Sequence, residues 1–483
     1  MTSIPPRPAR AGSPASEAAF AWSASALAWI ALWAAGLPAP HVDDLFFTGT
    51  GVALAQGGGL HNPWIEPWLV QHFGGTAFHA QPPLQPQALG LWLRIWGVST
   101  AAILAFQCLA GWLASTAALL LLRRAGCAPA PAIAGWLVAT VFVLARGLRP
   151  DAWGAAFALL AGLAWWRDGC GAWLAGCLAA ALAVAFHPFA AMAVLPAGGL
   201  ALFGRLQAKG LRGCVPELSL AAGAILVVLG LLAALLDFAV ADFWRSFHHH
   251  AQLRTPAPGT RLATFWHELT LGQEPLLRAP GALALAGALA AVGVAGDRRR
   301  AISAAALAAG AAGVGLVLYA GYTPQWLWPL GAGLTLAVWS TVKPFAGRAA
   351  VTAAVTFAVC WGSLPWLVGT ALARREPAGD YARLRTKYET QPAARLLVDE
   401  VAARHVFDFR LPPGSRDWLL SRRLDSGMSS LLATKPPGEI WLVDERKLEL
   451  YVPDSGVRAG RVRLAGRTFS SWLIHPGRVR LLP

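Results

Sequence analysis

The chain has 483 residues, of which 56% are apolar and 13% charged, and its mean hydropathy is +0.49. A soluble domain carries about a quarter charged residues, so this composition excludes a water-facing globular enzyme and indicates an integral membrane protein. The net charge of +15 is dispersed, which argues against nucleic acid and for membrane lipids as the anionic surroundings.

Residues 1–17, rich in Pro, Ser and Ala, read as a disordered cytoplasmic lead. The apolar run after them is either a first span or a signal peptide cleaved near Leu37–Pro38–Ala39, and the long charged lead favours a span. A bilayer crossing needs roughly 20 apolar residues, and about eleven runs qualify as transmembrane helices. They lie near 18–37, 100–122, 131–146, 151–166, 171–186, 188–204, 217–237, 279–296, 301–320, 326–342 and 349–371. The stretch 171–204 can also be read as one long span.

Arg7 and Arg10, Arg123 and Arg124, Arg167, Arg205, Lys209 and Arg212, Arg298 to Arg300, and Lys343 with Arg348 occupy alternate gaps. The positive-inside rule then predicts a cytoplasmic N-terminus, with the intervening loops and the tail outside. Two exterior loops, 38–99 and 238–278, are too long to be turns. Within the first, Leu84 to Trp96 has apolar residues at helical spacing with Arg94 on the other face, the pattern of a helix lying on the membrane.

Residues 18–371 therefore form the transmembrane domain, and 372–483 read as a small extracytoplasmic α+β domain. In that tail ARLLVDEVAARHVFD reads as an amphipathic helix, GEIWLVDERKLELYV as strand–turn–strand, and GRVRLAGRTFSSWLIHPGRVRLL as further strand. The six cysteines all fall in spans or cytoplasmic loops without a CxxC, so neither a zinc site nor a disulfide framework is indicated.

Polar chemistry gathers outside. Asp43 and Asp44, in HVDDLFF, follow the first span directly. Carboxylates are expensive in hydrocarbon, which puts this pair at the interface or in a wet cavity, as a helix flank or as a general base with its partner. FHAQPP supplies His79 and Gln81. ARGLRPDAWG supplies Arg146, Arg149 and Asp151 at a helix junction, where guanidinium forks suit phosphate oxygens or Arg149 simply pairs with Asp151. AFHPFAA supplies His187. FWRSFHHH supplies Arg245 and His249 within a His triplet whose side chains diverge, which disfavours metal ligation. YTPQWLWPL supplies Tyr322 and Gln325 in a segment of interfacial-belt character, and the 23 Trp residues are read as belt.

An acidic pair after the first span, "PPL" before an interfacial helix ending in "WG", and "RPD" opening a later span together resemble the GT-C superfamily of membrane glycosyltransferases. Within it the likeness is to the bacterial branch related to protein O-mannosyltransferases and lipid A aminoarabinose transferase (glycosyltransferase family 39-like), and it is strongest over 41–100 and 145–165.

The resemblance implies a GT-C fold and inverting transfer of a sugar from a polyprenyl-phosphate donor to an acceptor, lipid, glycan or protein, at the outer face of the inner membrane. It makes Asp43 and Asp44 catalytic, with Asp43 the base. Arg149, Arg146 and Arg245 would bind the donor phosphate, and His79, Gln81, Asp151, His187, His249, Tyr322 and Gln325 would line the substrate site. Family members usually carry Asp-Glu where this chain has Asp-Asp, so a divalent cation at Asp43/Asp44 stays an open alternative and no metal site is assigned. Competing readings are a transporter or flippase of a lipid-linked substrate, a glycan polymerase or ligase, and a non-catalytic scaffold. The transporter is disfavoured by the lack of a visible repeat.

Overall fold

The computed structural model describes residues 14–38, 44–62, 82–124, 126–252, 257–263, 395–397, 404, 408–410, 441–444, 461–464, 467–470 and 479–482. Ten α-helices are defined among them: α1 Pro14–Ala34, α2 Asp44–Ala55, α3 Leu84–Trp96, α4 Thr100–Arg124, α5 Pro129–Ala145, α6 Asp151–Trp165, α7 Cys170–Phe186, α8 Ala191–Gly213, α9 Val215–Leu235 and α10 Val240–Gln252. A 3-10 turn, Pro188–Ala190, joins α7 to α8.

Four helices among the described residues are long and apolar enough to cross a bilayer: α1, α4, α9, and α8 with its preceding turn. The expected spans near 131–146, 151–166 and 171–186 appear as shorter apolar helices, and those from 279 to 371 lie outside the described residues. The first helix already begins at Pro14, inside the segment read as a lead. The one-span reading of 171–204 fails, because His187 is extended (φ −148°, ψ 117°) and Pro188 starts a new turn. Proline lacks an N–H for the preceding turn, so the chain breaks there.

The helices form antiparallel hairpins. α4 packs on α1, α5 and α6, and α7 packs on α6 and α9. Alternation collects Arg123, Arg124, Arg167, Arg205 and Lys209 at one end of the bundle. There Arg123 pairs with Glu17 at 2.5 Å, and Lys209 pairs with the buried Glu217 at 2.5 Å. The other end gathers the starts of α2, α4 and α6 with the ends of α1, α5 and α7.

Tryptophan corrects the belt reading. Trp29 is buried and its Nε1 donates to Ser115 Oγ at 2.9 Å, while Trp136 Nε1 donates to Ser25 Oγ at 2.9 Å. These indoles tie α1, α4 and α5 together, because lipid offers no competing partner to a buried N–H. Gly111 makes room for Trp29: an added Cβ there would stand 2.1 Å from Trp29 Cη2. Gly111→Ala is expected to destabilise the bundle by about 1–3 kcal/mol through overpacking. The readout is the thermal midpoint in detergent, and an unchanged midpoint would show that this seam repacks freely.

α3 packs on α2 through the buried Leu89 and Leu93 and exposes Leu91, Ile95 and Trp96. Arg94, expected on the polar face, instead donates from Nε and Nη2 to the carbonyl of Leu54 at 3.0 and 2.7 Å, capping the end of α2.

In the tail, β2 (Trp441–Asp444) lies between β1 (Arg395–Leu397), which is parallel to it, and β5 (Val479–Leu482), which is antiparallel. β3 (Arg461–Leu464) and β4 (Arg467–Ser470) form a separate hairpin. Residues 395–397 were expected to be helical. Pairing of Leu396 with Leu442 overrides local helix propensity, which is a weak preference beside a completed ladder.

Candidate active site

The site begins at the first residue of α2. Asp44 is fully buried, at the positive end of its helix. Its Oδ1 accepts a hydrogen bond from Leu148 N at 2.8 Å. Leu148 lies in the turn between α5 and α6, so the acidic-pair segment is fastened to the segment that carries both arginines. Asn62 holds the first turn of α2 from the other side, its Nδ2 donating to the carbonyls of Leu45 and Phe46 at 3.1 Å each.

The α5–α6 turn is built for charge. Gly147 takes φ +58°, which a side chain would resist, and lets the chain reverse between Arg146 and Arg149. Arg146 is 5% exposed, with its guanidinium 5.9 Å from the Phe142 ring centroid. Arg149 Nε pairs with Asp151 Oδ2 at 3.2 Å, and its guanidinium carbon lies 4.7 Å from the Phe47 ring centroid. Gln107, from the apolar α4, donates to the Arg149 carbonyl at 3.0 Å. Pro150 precedes α6, and Asp151 sits in its first turn.

Asp151 joins two elements. Its Oδ1 lies 3.0 Å from His187 Nε2 at the α7 break. His187 Nδ1 accepts from Phe189 N at 3.3 Å, which leaves Nε2 as the ring nitrogen on the Asp151 side. Nearby, Phe106, Trp153, Phe157 and Phe186 form an aromatic group with centroids 4.8–6.1 Å apart. Two carboxylates, two guanidiniums and an imidazole thus meet at one end of the bundle, each ion beside an opposite charge or a fixed dipole, as burial requires.

No family model matches the chain, and no curated protein does. Among solved structures it is similar to the crystal structure of ArnT from Cupriavidus metallidurans bound to undecaprenyl phosphate. Identity is 12% and the TM-score 0.54, over 95% of this chain and 100% of that one. The chain shares the overall fold of that structure. At that identity the likeness is one of fold, and the site rests on this chain's own residues.

Of the residues expected at a GT-C site, Asp44, Arg146, Arg149, Asp151 and His187 come together. Asp43, His79, Gln81, Tyr322 and Gln325 lie outside the described residues. Arg245 is exposed on α10 and pairs with Asp242 one turn away at 3.3 Å, a neighbour on its own helix and not a member of the buried cluster. His249 is half-buried on the same helix, while His248 Nε2 lies 2.9 Å from Gln252 Nε2. Among the described residues no three His, Cys, Asp or Glu side chains converge as a metal site. Sequence reasoning missed Gln107 and Asn62. Gln107 did carry a signal, since an amide inside an apolar span needs a partner.

Proposed function

We propose that the chain is an inverting glycosyltransferase that moves a sugar from a polyprenyl-phosphate donor to a lipid, glycan or protein acceptor at the outer face of the cytoplasmic membrane. The observation that carries this reading is the hydrogen bond from Leu148 N to Asp44 Oδ1, which ties the acidic pair to the Arg146–Asp151 turn. The fold likeness to a protein solved with undecaprenyl phosphate points the same way.

In this reading Asp43 is the base. It takes the proton of the acceptor hydroxyl as that oxygen attacks the anomeric carbon from the face opposite the phosphate. The bond from that carbon to the phosphate oxygen breaks, the configuration inverts, and polyprenyl phosphate departs with the electron pair. Arg149, aimed by Asp151 and backed by Phe47, stabilises the charge growing on the leaving phosphate. Asp44 is spent on Leu148 and serves as the anchor that keeps base and guanidinium in register. A lipid tail cannot leave the bilayer, so the catalytic groups sit where the headgroup does.

The test is lipid analysis of cells carrying wild type or Asp43→Ala. A polyprenyl-phosphate sugar should accumulate with the variant and not with wild type. Identical lipid profiles, with both proteins present in the membrane, would remove this function.

A further inference from the structure

Among the described residues, the tail reaches into the bundle at Arg404 and Asp408 to Arg410. Arg404 is 3% exposed, and its guanidinium donates to the carbonyl of Pro38 at 2.7 Å and to that of Gly36. Its own carbonyl accepts from Thr100 Oγ1 at 2.9 Å. Asp408 Oδ1 accepts from Thr100 N at 2.6 Å, occupying an otherwise unpaired N–H at the start of α4. Arg410 Nε donates to the Val98 carbonyl at 2.9 Å. Between them Phe409 is fully buried and belongs to the same apolar cluster as Leu37 and Leu45.

A second observation is independent of these contacts. Asp408 and Phe409 both have positive φ, +53° and +56°. A bulky residue rarely adopts that conformation, and it persists only where its surroundings over-determine it. Phe238 has the same sign of φ but is exposed, whereas Phe409 is fully buried with this backbone, as a seated plug is.

What this plug holds is the turn after α1. Gly36, Leu37 and Pro38 are the last described residues before the acidic pair. Their three carbonyls are all engaged: Arg404 takes those of Gly36 and Pro38, and Cys108 Sγ donates to that of Leu37 at 3.4 Å. The geometry points to Arg404 as a positioning residue: Arg404, with Asp408, Phe409 and Arg410 of the tail, latches the turn after α1 that precedes the acidic pair, and through that turn fixes where the base of the proposed reaction stands. In this inference Arg404 acts through two backbone carbonyls. The catalytic half of this inference rests on the glycosyltransferase reading, whereas the latch itself does not.

The experiment uses the full chain in detergent with Cys108 as the single remaining thiol, the other five cysteines replaced by alanine. Cys108 is buried under the turn, so its maleimide labelling rate reports whether the turn is seated. Arg404→Ala should raise that rate several-fold and lower kcat by about 10²-fold, the order expected for a misplacement near 1 Å, with KM for the polyprenyl-phosphate sugar nearly constant. Arg404→Lys keeps the charge but not the two-carbonyl fork, and should fall between wild type and Ala on both measures.

Wild-type labelling in a monodisperse Arg404→Ala protein overturns the latch whatever the activity. Faster labelling with unchanged kcat overturns the positioning role, and a raised KM with constant kcat makes Arg404 a binding contact instead. Should the alanine variant aggregate, Arg404→Lys decides: wild-type labelling and kcat there reject the proposal. A wild-type chain that transfers no sugar sinks the glycosyltransferase reading and leaves the labelling arm to judge the latch alone.

Discussion

Asp43→Asn is expected to lower kcat by about 10²–10⁴-fold, the usual contribution of a positioned general base. Asparagine keeps the size and a hydrogen-bonding oxygen but cannot accept the proton of the acceptor hydroxyl. In the proposed reaction Arg146 and Arg149 hold the donor phosphate, so KM for the donor should stay close to wild type. That split between kcat and KM is the decisive measurement. A variant with kcat within a few fold of wild type would move the base elsewhere. Asp44→Asn offers no such clean result, because it disturbs the acceptor of the Leu148 bond and should lower the thermal midpoint as well.

Arg149→Ala is expected to lower kcat by about 10²–10³-fold, the order measured when one donor to a developing oxyanion is removed. The same change leaves Asp151, 3% exposed, without its guanidinium partner, so the midpoint should fall too. Arg149→Lys separates the two effects. Its charge still pairs with Asp151, but a compact ammonium cannot present a planar fork to phosphate or lie on the Phe47 ring. Lysine should therefore recover much of the stability and little of kcat. Full kcat in Arg149→Lys would show that charge alone suffices. Arg245→Ala is the control, and its exposed i,i+3 pair with Asp242 should be worth little to either measure.

Legibility differed between residues for definite reasons. The Arg-Pro-Asp turn could be read because proline at a helix start and a carboxylate at its positive end are local signals, and α6 does open at Asp151. His187 could be read as a junction because Pro188 follows it. Arg245 belonged by composition to the same arginine set, yet it lies exposed on α10. Nothing in a linear string distinguishes a guanidinium aimed inward from one aimed at water. Gln107 stood in plain view inside α4 and lacked only a visible partner. Arg404 sits in a tail stretch that reads as an amphipathic helix, and its contacts are with carbonyls 366 and 368 positions away.

By itself the amino-acid string determined the membrane class, the helix positions from α3 through α9, the helix breaks at proline, and the gathering of basic residues at one end, whereas α2 lies in a stretch that reads as an exterior loop. Each follows from hydrophobic runs and backbone chemistry within about twenty residues, the scale of one bilayer crossing. Only the tertiary structure decided that Asp44 grips Leu148 across 104 positions, that Asp151 bridges Arg149 and His187, that Trp29 and Trp136 turn inward to serines, and that the tail pins the turn after α1. The reason is the obligation of buried polar groups. Inside a bilayer each must find a partner, and which one it finds depends on how the helices pack, which no local pattern encodes.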